Sequence, residues 1–148
     1  MTYLDKAVQD LVNSDFVPVQ VKFPDDVATR RRYDANWTPT LVFLDADGEA
    51  LHRLVPASLP PDEFIPAVLA GLAHALSAEK RGGEAIAHLD RVVREFPRSL
   101  AAPEALYWRG VAQYHDGDEE AMAASWKQLA SRFPDSYWGK AITFVKHA

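Results

Sequence analysis

The chain has 148 residues, of which 48% are hydrophobic and none is cysteine, and its formal net charge is -5. The hydrophobic content is typical of a globular protein, and the acidic balance argues against nucleic acid as a partner. The lack of cysteine excludes disulfides, thiolate nucleophiles and cysteine-based zinc sites. The chain has no leader pattern and no apolar run near about 18 residues. We therefore expect a cytoplasmic protein without a membrane partner.

The first third of the chain alternates between helical and extended patterns. Apolar residues recur with a helical period over residues 1–13 and with period two over residues 17–23. These patterns predict a helix followed by a strand. A second helix, capped by Asp25 or Asp26, is expected to run to about Asp34.

An apolar run follows a Thr-Pro-Thr turn centred on Pro39. Residues 41–44 are bounded by turn signals, which predicts a buried strand. Asp47 and Gly48 predict a hairpin turn, and residues 49–55 predict the returning strand. The sheet is thus expected to have about three strands.

The rest of the chain is predicted to be helical. A long helix capped by Asp62 is expected to reach about Lys80 and to connect the two halves without a flexible linker. Four more helical stretches follow: 83–95, 103–115, 119–132 and a last one from Tyr137.

The helical half contains an internal repeat. Phe96-Pro97-Arg98-Ser99 recurs as Phe133-Pro134-Asp135-Ser136, 37 positions later, and each copy follows an alanine-rich amphipathic stretch. Around the second copy, Gly110 would allow two helices to approach closely, Trp126 would pack between them and Pro134 would end the second helix. This pattern is close to that of a tetratricopeptide unit. The first copy is degenerate.

The serial order of these features resembles the C-terminal half of the thioredoxin fold. The matching segments are Phe16-Val17-Pro18-Val19-Gln20-Val21, then Tyr33 before Thr38-Pro39-Thr40, then the Asp-Gly hairpin. More narrowly, the chain is similar to bacterial thioredoxin-family proteins that carry tetratricopeptide-like helices after the thioredoxin domain.

The resemblance implies an α/β fold followed by helices. The α/β part is an incomplete thioredoxin-like sheet, expected over residues 1–62. A connecting helix is expected over 63–80, and tetratricopeptide-like hairpins over 81–148. The sequence departs from the family because the redox Cys-x-x-Cys is absent. Without a thiolate, no attack on a disulfide is available to this polypeptide.

The strand that precedes the cysteine helix in the thioredoxin family is also absent from this chain. In the family it lies between the strands that match residues 17–23 and 40–45. These two would either pair directly or leave apolar edges open, and open edges invite another chain. We therefore predict a homodimer or swapped oligomer that covers the gap.

Two groups of residues are candidates for binding. In thioredoxin-like proteins the backbone before the cis-proline receives an extended peptide, and Trp37, Thr38 and Pro39 occupy that place here. Tyr107 and Tyr114 share one helix face, which in tetratricopeptide arrays lines the concave surface. The alternative is that these two tyrosines only pack against the neighbouring helices.

The other polar groups have simpler structural interpretations. Arg30, Arg31 and Arg32 point in different directions along a helix and predict a solvated face. The five histidines, at 52, 74, 88, 115 and 147, lack metal-ligand spacing, and the paired aspartates fall at helix starts and turns. We predict no catalytic residue, no metal and no cofactor.

The leading interpretation is a non-catalytic module that binds or scaffolds a protein or peptide partner, with a second copy of itself as one option. The alternative is a fragment of a thiol-disulfide oxidoreductase whose N-terminal portion, with its Cys-x-x-Cys, lies outside this chain.

Overall fold

A computed structural model of the chain describes residues 2–22, 25–56 and 58–145. A 3₁₀ turn at Thr2–Leu4 precedes two helices and two strands, and five further helices complete the described part. In chain order they are α1 (Lys6–Asp15), α2 (Val27–Arg32), β1 (Leu41–Leu44), β2 (Ala50–Leu54), α3 (Pro61–Ala78), α4 (Gly82–Glu95), α5 (Ala102–His115), α6 (Glu119–Arg132) and α7 (Tyr137–Val145). The predicted fold class, α/β followed by helices, is confirmed.

The sheet is a single hairpin. β1 and β2 pair antiparallel, with Leu41 opposite Leu54 and Phe43 opposite His52. The turn between them is closed by a hydrogen bond from the Gly48 amide to the Asp45 carbonyl, and Gly48 has a φ of 80°, which favours glycine. The hairpin turn and its two strands lie where the sequence predicts them.

The prediction of about three strands is wrong, because the described residues contain only two. Residues 17–22 form neither strand nor helix, and Phe23, the last residue of the predicted strand, lies outside the described residues. The period-two pattern is present, but a strand also needs a neighbour that accepts its ladder hydrogen bonds. Among the described residues β1 pairs with β2 alone, so this segment has no such neighbour.

Aspartate side chains start several helices. Asp5 accepts hydrogen bonds from the amides of Ala7 and Val8 at the start of α1, and Asp118 accepts one from the amide of Ala121 at the start of α6. Asp62 was expected to cap α3, but this is wrong. The helix begins at Pro61, whose missing N–H suits the first turn, and Asp62 lies inside that turn.

The long helix α3 lies at the centre of the packing. It contacts both strands and α1 as well as α4 and α5, and its side chains Phe64, Leu69 and Leu76 are buried. Gly71 brings α3 close to the hairpin, since a Cβ there would lie 2.8 Å from Cζ of Phe43. One continuous core therefore joins the hairpin to the helices.

The α5–α6 pair is held by a close approach and by a polar network. A Cβ at Gly110 would lie 2.6 Å from Cδ1 of Trp126, so only glycine fits there without movement. Next to it, the Arg109 guanidinium donates to Asp90 (2.7 Å), Ser125 (3.0 Å) and Gln128 (3.0 Å), which lie on α4 and α6. The expected role of Gly110 is thus present in the structure.

Candidate binding surface

The turn that leads into β1 is anchored from both sides. At the end of α2, the Tyr33 hydroxyl and the Arg32 guanidinium donate to the Gly48 carbonyl, at 2.9 and 3.1 Å. From β2, Arg53 pairs with Asp34 at 3.0 Å and also donates to the Tyr33 carbonyl. This pairing and a bond from Asn36 hold the pKa of Asp34 below its ordinary value. The hairpin therefore holds both ends of the segment 35–40, through these contacts at one end and through β1 at the other.

Trp37 and Thr38 are presented to solvent by this turn. The Trp37 side chain is 70% exposed, Thr38 is exposed and Pro39 is half-buried. The Thr40 hydroxyl donates to the Trp37 carbonyl at 2.6 Å, and the peptide bond between Thr38 and Pro39 is cis. Three candidate residues thus lie together at the start of β1.

Two further segments of the α/β part, β1 and residues 17–22, offer backbone groups that no described strand meets. In the part of the chain that the structure describes, one edge of β1 has no neighbouring strand. Residues 17–22 carry valines at alternate positions, and Val17 is 92% exposed. Backbone donors and acceptors on a strand edge, together with exposed aliphatic side chains, are the features by which sheets recruit further strands.

The two tyrosines proposed for the concave helical surface lie in different environments. Tyr107 packs among aromatic rings, stacked on Trp126 at 5.9 Å and close to Trp108 and Trp138. Tyr114 is 54% exposed and contacts only His115 among the described rings. Tyr107 is thus half-buried and Tyr114 exposed on the same helix, and whether either binds a partner stays a prediction.

A group that the sequence did not predict lies where the hairpin meets the helices. The imidazoles of His52 and His74 stack with centroids 4.8 Å apart, and Nε2 of His74 lies 3.0 Å from Oε1 of Glu104. Burial and the neighbouring His74 lower the pKa of His52, and Glu104 partly opposes them. These residues are 22 and 30 positions apart on three elements, so no local spacing could have indicated the cluster.

In the described part of the chain the histidines do not gather into a metal site, and one arginine of the run at 30–32 contributes to the fold. Across residues 2–22, 25–56 and 58–145, no three acidic or histidine side chains converge as metal ligands would, and His147 lies outside these ranges. Of the arginine run, Arg32 binds the Gly48 carbonyl and lies 3.5 Å from Glu49, so it contributes to the fold. None of the described helices has both the length and the apolar character needed to cross a membrane.

Comparisons with known families agree with this architecture. Residues 2–71 match the thioredoxin-like domain, and residues 104–136 match the tetratricopeptide repeat. The two resemblances inferred from the sequence are thereby confirmed, and the second match coincides with α5, α6 and the turn before α7. No curated protein and no solved structure matches the chain significantly.

Proposed function

We propose that this chain is a non-catalytic module that binds an extended segment of a partner protein along the free edge of β1, beside Trp37. The observation that carries the proposal is that β1 has an unpaired edge among the described residues and that an exposed tryptophan lies in the turn that leads into the same strand. A strand added to such an edge gains affinity from main-chain hydrogen bonds, and neighbouring side chains select its sequence.

The chemistry of Trp37 supports this choice. An indole offers a large rigid contact area at a small cost in side-chain entropy, which is why tryptophan is enriched among the residues that dominate binding energy. In the thioredoxin family, which residues 2–71 match, the turn around the equivalent of Pro39 receives an extended peptide. Val17 and Val19 are exposed as well, and they directly follow Phe16, whose ring packs on Phe43 of β1.

The absence of cysteine supports a non-catalytic role. Disulfide exchange begins with attack by a thiolate, and no residue of this chain can form one. The family's peptide-docking turn is thus retained without its nucleophile. Peptide binding, unlike disulfide exchange, does not require a thiolate.

Selection from a library of displayed extended peptides, followed by calorimetry with the full chain, tests the proposal. We expect the selected peptides to carry apolar residues at alternate positions, as strand addition requires. Trp37→Ala should weaken their binding by about tenfold or more, the effect of removing a central aromatic contact. Tyr137→Ala removes a comparably exposed aromatic ring, 76% exposed, from α7 and serves as the matched control, with binding unchanged; Tyr114→Ala tests the helical half separately.

Two outcomes would count against this function. If no extended peptide is selected, the free edge does not act as a peptide site. If Tyr114→Ala abolishes binding and Trp37→Ala does not, the partner binds the helical half instead. Each readout requires only that the variants retain the circular dichroism spectrum of the parent chain.

A second copy of the chain is the alternative occupant of the same edge. Pairing between two β1 edges would cover the gap in both protomers and would exclude the peptide by competition. Light scattering at roughly tens of micromolar distinguishes the two, because self-association depends on protomer concentration. A monomer at that concentration contradicts the homodimer and leaves the peptide proposal intact.

A thiol-disulfide oxidoreductase is the second candidate, favoured by the match to the thioredoxin-like domain. In this version the present chain would be one part of a longer enzyme that carries Cys-x-x-Cys elsewhere. In-frame codons upstream of Met1 that encode a strand followed by Cys-x-x-Cys would establish this version. An insulin-reduction assay on the 148-residue chain itself should give no activity in either case.

A further inference from the structure

The hairpin is joined to the helices through two stacked histidines. His52 belongs to β2 and His74 to α3, and their rings are nearly parallel, with an interplanar angle of 22°. Phe43 of β1 packs on the other side of His52, at 5.7 Å between ring centroids. The stack is therefore part of the surface by which the hairpin sits on α3.

Among the residues that the structure describes, one carboxylate faces the two imidazoles. Glu104 of α5 lies 3.0 Å from Nε2 of His74, and the ring of Trp108 on the same helix packs against His74 without offering a charge. From β1 the neighbour is the apolar Phe43. Arg53, adjacent in β2, points to the opposite face of the strand and pairs with Asp34.

From this geometry we propose that the His52–His74 stack is a pH-sensitive joint, which holds the hairpin on α3 at neutral pH and loosens it on acidification. Glu104 contacts His74 and leaves His52 without a carboxylate partner among the described residues. A proton taken up by His52 lies beside a second imidazole, 4.8 Å away between ring centroids, and no ion pair joins His52 to a described carboxylate.

The direction of the effect follows from the preferred form of His52. Burial and the nearby His74 lower the pKa of His52, although Glu104 acts in the opposite sense. The unfolded chain therefore takes up this proton first, and stability falls as the pH drops from about 6.5, the ordinary value for histidine, toward the folded value. Above that range the contribution of the His52–His74 stack to stability is fully present.

Protons can reach the joint without global unfolding. A cavity of about 160 Å³ borders the stack and is lined by both imidazoles and by Glu104, together with Leu54 of β2, alanines of α3 and the two residues just before α5. A space of this size admits several water molecules, each of which occupies about 30 Å³ in the liquid. The hairpin can thus respond while the helices remain folded.

Hydrogen exchange of the full chain, followed by NMR between about pH 8 and pH 5, tests the joint across the range in which histidine titrates. After correction for intrinsic exchange, we expect a selective loss of protection at the β1–β2 amides on acidification, while α6 amides keep theirs. His52→Phe retains a stacking ring that does not titrate, and should abolish this loss. The imidazole signals of His52 should shift over the same pH range as the hairpin amides.

His115→Phe and His88→Phe are the controls. His115 is exposed on α5, and His88, whose pKa burial also lowers, lies on α4 and is no part of the stack. Both variants should retain the hairpin response. The proposal is overturned if hairpin protection in the parent chain does not change with pH, or if it falls equally in His52→Phe. If that variant does not fold, titration of His52 outside the range of the amide change overturns it instead.

Discussion

The helical half of the molecule completes its own packing, whereas the sheet half does not. In α3 to α7 each helix has a neighbour on its apolar face, and large side chains such as Leu69, Leu106 and Leu129 are fully buried. In the sheet half α2 buries no residue, residues 17–22 are exposed and pair with no described strand, and Trp37 faces solvent. The same chain therefore contains a well-packed helical core beside a two-stranded sheet whose outer edges meet no described strand.

The contrast extends to polar groups. In the helical half, the half-buried Arg109 has bonds to three side chains, and Gln113 accepts from Ser125 at 2.6 Å. In the sheet half, one edge of β1 offers backbone groups that no described strand meets. The helices thus contain the satisfied polar network, whereas the β1 edge that we propose for binding has no described strand partner.

The sharpest test of this division is the core of α3. Leu69 is 0% exposed, and Leu69→Ala removes its side chain from the region where hairpin and helices meet. We expect a loss of about 2–5 kcal/mol in the free energy of unfolding, from lost burial and the cavity left behind. Urea denaturation followed by circular dichroism measures it.

Leu100→Ala is the matched control for that substitution. Leu100 is 77% exposed, so the same change of side chain should alter stability by no more than about 0.5 kcal/mol. Equal losses in the two variants would mean that Leu69 does not lie in a packed core, and the contrast between the two halves would fail.

Two glycines compare the halves directly. Gly110→Ala would press a methyl group against Trp126 in the helical half, and Gly71→Ala would press one against Phe43 beneath the hairpin. Overpacking of this kind costs about 1–3 kcal/mol. Gly110→Ala should lower the global midpoint in urea, whereas Gly71→Ala should mainly reduce hydrogen-exchange protection of β1 and β2.

Gly83 provides the control, because a Cβ there meets nothing within 4 Å. Gly83→Ala should be neutral or stabilising by up to about 1 kcal/mol, since alanine loses less backbone entropy in a helix. A destabilisation as large as that of Gly110→Ala would show that helix geometry, and not contact with Trp126, sets the cost.

Helix caps give a smaller effect with the same contrast. Asp118 accepts from the Ala121 amide at 2.8 Å, and Asp118→Ala should reduce global stability by about 1 kcal/mol, because α6 is part of the main core. Asp26 caps α2 in the same manner, but α2 buries no residue. Asp26→Ala should therefore leave the urea midpoint unchanged and affect only the exchange of α2 amides. A matching shift in midpoint would place α2 in the cooperative unit.

The smallest effect is expected for the segment before α2. Val19 is exposed, so Val19→Thr should change the free energy of unfolding by less than about 0.5 kcal/mol. Thermal denaturation of the two proteins side by side is sufficient. A loss well above that value would indicate that residues 17–22 are packed in solution, and the open sheet would have to be reconsidered.

Local rules predicted the helical half well. The bounds of α5 and α6 differ by at most one residue from the predicted 103–115 and 119–132, because glycine, aspartate and proline signals mark their ends. The turn between them contains Gly117 with a φ of 82°, as a tight turn requires. Here the periodicity, the caps and the tertiary packing all favour the same structure.

The predictions that failed depend on partners distant in the chain. Residues 17–22 have the pattern of a strand, but pairing is decided by a neighbour and not by the segment itself. Asp62 has the chemistry of a cap, yet Pro61 already suits the first position of α3. The His52–His74 stack depends on how β2 lies across α3, which no spacing in the sequence encodes. The division into residues 1–62, 63–80 and 81–148 stays a prediction.

The position of α3 limits how this protein can be taken apart. The match to the thioredoxin-like domain ends at residue 71, in the middle of a helix that runs from Pro61 to Ala78. One side of that helix carries the hairpin and another carries α4 and α5. An exchange of modules at residue 71 would cut α3, the helix on which both the hairpin and the other helices pack. The two family matches cover separate stretches of the sequence, but one continuous core joins the parts of the fold that they cover.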